Sequence, residues 1–234
     1  MSEAISVIHL DRLDLSFAPK PWVYATEHRA EIDAHFAKRR RATPALWNGR
    51  VLMLYRYSVA DGVFTGAYLE TDYASFAAWC DWGRPPAGVY DCFGTAAVRS
   101  ADGAFLVGVM GPRTLNAGGI YFPCGTPDPD DIVDGRVDFD LSIRRELKEE
   151  TGLDAAELTA EPGWTSVVDG ALIAQIKVLR SPERAEALRA RMLEHLASEQ
   201  QPELADIRVV RGPADFDPAM RRFVMAFLAH RFSV

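Results

Sequence analysis

Apolar positions in the first ninety residues fall in short runs that switch between two spacings. Residues 5–10 (Ile-Ser-Val-Ile-His-Leu) read as a short strand. Residues 22–41 carry a helical pattern that ends in the basic cluster Lys38-Arg39-Arg40-Arg41. Two strand-like runs follow, 50–57 and 63–71, and the Asp61-Gly62 pair between them is a hairpin signal. Residues 73–82, with Phe76, Trp79, Cys80 and Trp82, read as a short helix. The breakers Gly83-Arg84-Pro85-Pro86-Ala87-Gly88 end it and mark the expected boundary between two domains, 1–88 and 89–234.

Beyond the boundary the pattern predicts strands over 92–98 and 105–110 around Asp102-Gly103, over 119–122, and over 165–168 and 171–178 around Asp169-Gly170. A long helix is expected from Ser181, with Ser as N-cap, Pro182 as first residue, and Leu188, Met192 and Leu196 on one side. The last helix uses Asp217 and Pro218 in the same way and buries Phe223, Val224, Phe227 and Leu228. Strands and helices mix without strict alternation. That predicts an α+β fold, a mixed β-sheet flanked by helices, preceded by an α+β N-terminal extension.

The segment from Leu141 to Leu153 carries the chemistry. Read as a helix, it sets Glu146, Glu149 and Glu150 three and four residues apart, so three carboxylates share a face. Ile143 and Leu147 point elsewhere and anchor the helix, and Gly152 is suited to end it in the left-handed conformation. Like charges repel, and glutamates near a helix C-terminus also oppose its dipole. Hard divalent cations relieve such a cluster. A glutamate- and lysine-rich helix is more often a solvated face, and composition alone does not separate the two readings.

Composition narrows the partners. The 234 residues carry a formal net charge of −7, which disfavours a polynucleotide but allows a small phosphorylated ligand beside bound cations. Three cysteines, Cys80, Cys92 and Cys124, show neither a disulfide framework nor zinc spacing, and point to a reducing cytoplasm. No apolar run approaches the roughly 20 residues of a membrane helix, and no signal segment opens the chain, so a soluble protein is expected.

Arg145-Glu146-Leu147-Lys148-Glu149-Glu150-Thr151-Gly152-Leu153 resembles the second half of the box that defines the Nudix hydrolases, matching every specified position. Tyr121-Phe122-Pro123-Cys124-Gly125 resembles the Pro-Gly-Gly lead-in. The upstream half departs from the pattern. Counting back from Arg145 puts Val137 where the family has glutamate and Asp131 where it has glycine. Gly125 fills the glycine role only if about six extra residues sit in the loop 126–138, which carries Asp128, Asp130, Asp131, Asp134 and Asp138. Asp138 or Asp140 either replaces the missing carboxylate in part or serves as a loop aspartate and helix cap.

The resemblance implies an α/β/α Nudix sandwich over about 89–234 and hydrolysis of a phosphoanhydride in a nucleoside diphosphate linked to another group. It implies Mg²⁺ or Mn²⁺ held by Glu146, Glu150 and, in support, Glu149, with the backbone carbonyl of Cys124 as a further ligand. Arg145 would orient the glutamates. The general base varies across the family; for a base outside the box, Glu199 and Glu203 are either candidates or ordinary surface glutamates. A faint likeness to the UDP-sugar branch, with Leu46-Trp47-Asn48-Gly49 before a hairpin, makes sugar nucleotides the first substrate guess. ADP-ribose, dinucleotides and coenzyme A derivatives follow, with a non-cleaving nucleotide sensor as the other class. The extension would select the substrate. Trp47, Tyr55, Tyr57, Trp79 and Trp82 either form a base-stacking platform or belong to the core. Asn116-Ala117-Gly118-Gly119 is either a ligand-approaching loop or a turn. The five histidines show no metal spacing and receive no role. Oligomeric state stays open, a homodimer among the options.

Overall fold

Two sheets organise the chain. The computed structural model describes residues 4–44, 46–112, 114 and 116–233. In order, the strands are β1 (Ser6–Leu10), β2 (Arg12–Phe17), β3 (Arg50–Ala60), β4 (Val63–Asp72), β5 (Asp91–Arg99), β6 (Phe105–Met110), β7 (Ile120–Tyr121), β8 (Ile132–Val133), β9 (Arg136–Val137), β10 (Thr159–Ala160), β11 (Trp164–Asp169), β12 (Leu172–Arg180) and β13 (Leu204–Val210). The α-helices are α1 (Val23–Glu27), α2 (Arg29–Ala42), α3 (Tyr73–Asp81), α4 (Phe139–Thr151), α5 (Ala185–Ser198) and α6 (Arg222–Phe232). The larger sheet runs β1-β11-β12-β5-β6-β13, with β7 beside β6 and β10 beside β12; the smaller runs β3-β4-β2-β9-β8. Mixed sheets flanked by helices make this an α+β fold, as the periodicity predicts.

The chain forms two compact units, and neither is contiguous. The larger comprises Met1–Arg12, Phe93–Gly125 and Phe139–Val234; the smaller comprises Leu13–Cys92 and Thr126–Asp138. These bounds differ from a cut at 88/89. β1 pairs with β11, Ser6 opposite Val168 through Leu10 opposite Trp164, which draws the start of the chain into the larger unit. The loop 126–138 forms the hairpin β8–β9, and β9 pairs with β2.

The smaller unit is built on the long β3–β4 hairpin. Asp61 and Gly62 adopt φ of 49° and 70° at its tip, the mirror-image turn that matches strand twist. A register shift between Leu54 and Arg56 bends it. Phe64, Tyr68 and Trp79 are fully buried, and Trp79 Nε1 donates to the Pro85 carbonyl at 2.8 Å, so the buried indole has a partner. Asp72 caps α3 by accepting from the Ser75 N–H at 2.7 Å.

In the larger unit three rings, Phe105, Phe122 and Phe227, meet edge to face at centroid distances of 5.5–6.3 Å. Leu188, Met192 and Leu196 are buried along α5 as their spacing predicts. Both C-terminal helices start later than their capping signals predict. Ser181 Oγ accepts from the Glu183 N–H in a turn, and α5 begins at Ala185, whose N–H donates to Asp102 Oδ1 at 2.9 Å. Asp217 Oδ1 accepts from the Ala219 N–H in another turn, and α6 begins at Arg222. A side chain that bonds its own local backbone competes with the helix it would cap. Five strands, β2, β8, β9, β10 and β13, went unread in the sequence. Among the described residues, no helix is long and apolar enough to cross a membrane.

Candidate active site

The acidic segment does form a helix. Phe139, Ile143 and Leu147 recur every four residues along α4 and are all buried. Gly94 of β5 makes the contact close: a Cβ there would lie 3.1 Å from Phe139 and 3.2 Å from Ile143. This anchoring sets the rotation of α4, and the rotation sets the glutamates. Glu150 is buried, Glu146 half-buried and Glu149 exposed.

At 125 the glycine has a specific reason. A Cβ on that residue would sit 2.6 Å from Cδ of Glu146, so only a bare Cα lets this carboxylate lie against the loop. The backbone N–H of Cys124 hydrogen-bonds Glu150. Glu150 Oε2, by contrast, is buried with no hydrogen-bond partner among the described residues. Burial pushes the Glu150 carboxyl well above the ordinary range, and the charges of Glu146, Glu203 and Glu149 push it the same way. Burial likewise raises Glu146, to about 7, with Glu149 and Glu203 adding and Arg145 opposing. Arg145 Nη2 stands 3.4 Å from Glu146 Oε1.

Glu203, immediately before β13, therefore joins the field of Glu146 and Glu150 although it lies more than fifty residues away in sequence. Its backbone carbonyl accepts from the Gly111 N–H at 2.7 Å, which fixes that end of the strand. Glu199 is turned elsewhere, 3.4 Å from His195 Nε2. His195 received no role from the sequence, yet its Nε2 is 3.0 Å from the Glu149 carbonyl, and its ring covers Gly152. Gly152, at φ 71°, terminates α4 as expected. No spacing rule links residue 195 to 152; only the packing of α5 beside α4 brings them together.

The donors here are hard carboxylate oxygens, one of them orphaned, beside a cradle that a side chain at 125 would fill. That set suits Mg²⁺ or Mn²⁺, which bind through one or two carboxylates together with substrate phosphate oxygens. Among the described residues, no three His, Cys, Asp or Glu side chains converge closely enough to cage a metal by themselves.

Other sequence candidates fall outside this group. In the smaller unit Asp128 and Asp131 form a reciprocal cap on a short 3₁₀ turn, and Asp134, at φ 50°, makes the β8–β9 turn. The Asp138 N–H donates to the Asp131 carbonyl at 2.8 Å, and Asp140 is exposed in the first turn of α4. Of the aromatic candidates, Trp79 is in the core, Tyr57 stacks on Phe64 at 5.1 Å, and Trp47 is 81% exposed. Arg39 of the basic cluster pairs with Asp81 at 3.0 Å. All three cysteines are free, and burial lifts the Cys80 thiol to about 12.

No protein-family model matches the chain, and no curated protein matches it by sequence. Solved structures resemble part of it. A MutT protein from Methanosarcina mazei Go1 shares 18% identity at a TM-score of 0.40, over 62% of this chain and 93% of that one. A Nudix hydrolase from M. smegmatis, RenU, shares 16% at 0.38, over 59% and 80%. The C-terminal domain of mouse MUTYH, solved in complex with human PCNA, shares 17% at 0.38, over 61% and 86%.

Proposed function

We propose that this chain is a Nudix-type hydrolase that cleaves a phosphoanhydride bond in a nucleoside diphosphate derivative, with sugar nucleotides such as UDP-sugars as the first substrates to try. One observation carries the reading. The glutamates of the Arg145–Leu153 motif are held at a buried position where Glu150 Oε2 has no partner and its charged neighbours are mostly carboxylates. A fold that holds carboxylates there without a counter-charge for their ionised forms leaves room for a cation that arrives with the substrate.

In this reading Glu146 and Glu150, assisted by Glu149 and the Cys124 carbonyl, would hold Mg²⁺ or Mn²⁺. Such an ion, when bound, neutralises diphosphate charge and makes a water more acidic. The chain's own residues supply position. Ile143 and Leu147 fix α4, Gly125 admits the Glu146 carboxylate, and Arg145 restrains it. Glu203, exposed and close in field to the pair, is our candidate to accept the proton of the attacking water. Selection among substrates we assign to the N-terminal segment 1–88.

A panel of nucleoside diphosphate derivatives with Mg²⁺ or Mn²⁺, read by newly exposed phosphomonoesters, tests the proposal. On the best substrate, Glu150→Gln and Glu146→Gln are each expected to lower turnover by about 10³-fold, the scale of losing electrostatic stabilisation at a reacting centre, with the circular dichroism unchanged. Wild-type turnover in either variant removes the assignment.

A further inference from the structure

Arg221 precedes α6, and its guanidinium is held in an unusual way. Its backbone N–H donates to the Ile120 carbonyl at 3.1 Å, and its Nη2 donates to Asn116 Oδ1 at 2.7 Å. Among the described residues no carboxylate lies within ion-pair distance of it, whereas its neighbour Arg222 reaches Asp169 at 3.3 Å. A guanidinium has five N–H donors. Arg221 is exposed, so the donors that the neutral Asn116 amide does not take face solvent, in a chain whose net charge is −7.

The same two residues wall a pocket of about 460 Å³, formed by the turn 116–119 and the segment 218–222. Gly119 keeps the turn tight, since a Cβ there would lie 2.9 Å from the Asn116 carbonyl and 3.5 Å from Arg221 Nε. The pocket is an open surface groove, so an oxyanion can reach Arg221 there while the rest of its molecule stays towards solvent. Tyr121, whose ring lies 3.4 Å from where a Cβ on Gly119 would sit, is buried. Asn116 hydrogen-bonds its hydroxyl, and burial raises that hydroxyl well above the ordinary range.

We propose that this pocket binds an oxyanion, a phosphate or carboxylate borne by a small organic molecule, with Arg221 as the charged donor and Asn116 as the amide that orients it. Guanidinium geometry favours this partner because its paired N–H groups match two oxygens of one oxyanion. Use of the pocket as the seat for the far end of a substrate rests on the hydrolase reading above; the binding itself does not.

Ribose 5-phosphate is titrated into the full chain in EDTA by calorimetry, with ribose as the neutral control. EDTA keeps any divalent ion from carrying phosphate onto the glutamates. Saturable binding of ribose 5-phosphate and none of ribose is expected. Arg221→Gln should weaken it about tenfold or more, the scale of a charged hydrogen bond, and Asn116→Ala by less, while Glu146→Gln leaves it unchanged. Asn116→Ala carries the test if Arg221→Gln fails to fold. No saturable binding by the wild type, or wild-type affinity in both pocket variants, overturns the proposal. If every nucleotide substrate goes uncut while ribose 5-phosphate still binds through Arg221, the hydrolase reading fails and the pocket stands.

Discussion

Each compact unit buries a carboxylate, and the two differ in what surrounds it. In the smaller unit Asp91 is 7% exposed, and Arg84 Nη2 meets its Oδ2 at 2.7 Å. Burial still raises the Asp91 carboxyl, and Arg84 pulls against it. In the larger unit Glu150 is equally buried, but its charged neighbours are Glu146, Glu203 and Glu149. The first arrangement closes on itself: its counter-charge is part of the fold. The second is incomplete by electrostatics alone, and the fold tolerates it because the core packing of α4 holds the helix in place. In the smaller unit the chain supplies the counter-charge itself; at Glu150 it does not.

Neutralising the two carboxylates should therefore have opposite effects on stability. Asp91→Ala is expected to cost about 2 kcal/mol, less than the roughly 3–5 kcal/mol of a fully buried pair, because a third of the Arg84 side chain is exposed and can turn to water. Chemical denaturation measures it. Glu150→Gln should instead raise the melting temperature of the metal-free protein near neutral pH, since it removes a carboxyl whose ionised form the fold disfavours. A fall in both variants would erase the contrast.

Titration sharpens the same comparison. The Glu146 carboxyl is raised from 4.5 to about 7 in the folded chain. A group raised on folding contributes stability that is present below its unfolded value and lost as pH rises through its folded one. Metal-free protein should therefore melt progressively lower from pH 4.5 through pH 7 and just beyond. Added Mg²⁺ should restore the loss at pH 8 and do little at pH 5. Asp91 is raised in the same direction, but its share should not respond to Mg²⁺. Melting curves that ignore Mg²⁺ at pH 8 would mean that the glutamate face holds no cation.

The smallest effect concerns the end of α4. Gly152→Ala should cost about 1–2 kcal/mol from the left-handed backbone alone, and its Cβ would lie 2.7 Å from Cγ of His195. Loss of Mg²⁺ affinity beyond that of Gly94→Ala, which meets the opposite end of the helix, would show that the His195 contact positions the glutamates rather than merely stabilising the unit.

Much of this was legible in the chain itself. The strand β6 falls on 105–110 as read, the Asp61-Gly62 turn takes its positive φ angles, and α4 presents its apolar residues at the expected spacing. Those features depend on neighbours within a few residues, where backbone sterics and side-chain periodicity act. Tertiary structure alone decided the rest. It placed Glu203 in the field of Glu146, capped α5 with Asp102, laid His195 over Gly152, and joined Arg221 to Asn116. It also moved the first strand into one sheet and the 126–138 loop into the other. Contacts between residues far apart along the chain leave no periodic trace in it, because what selects them is the shape and charge of surfaces that exist only once the sheets have formed.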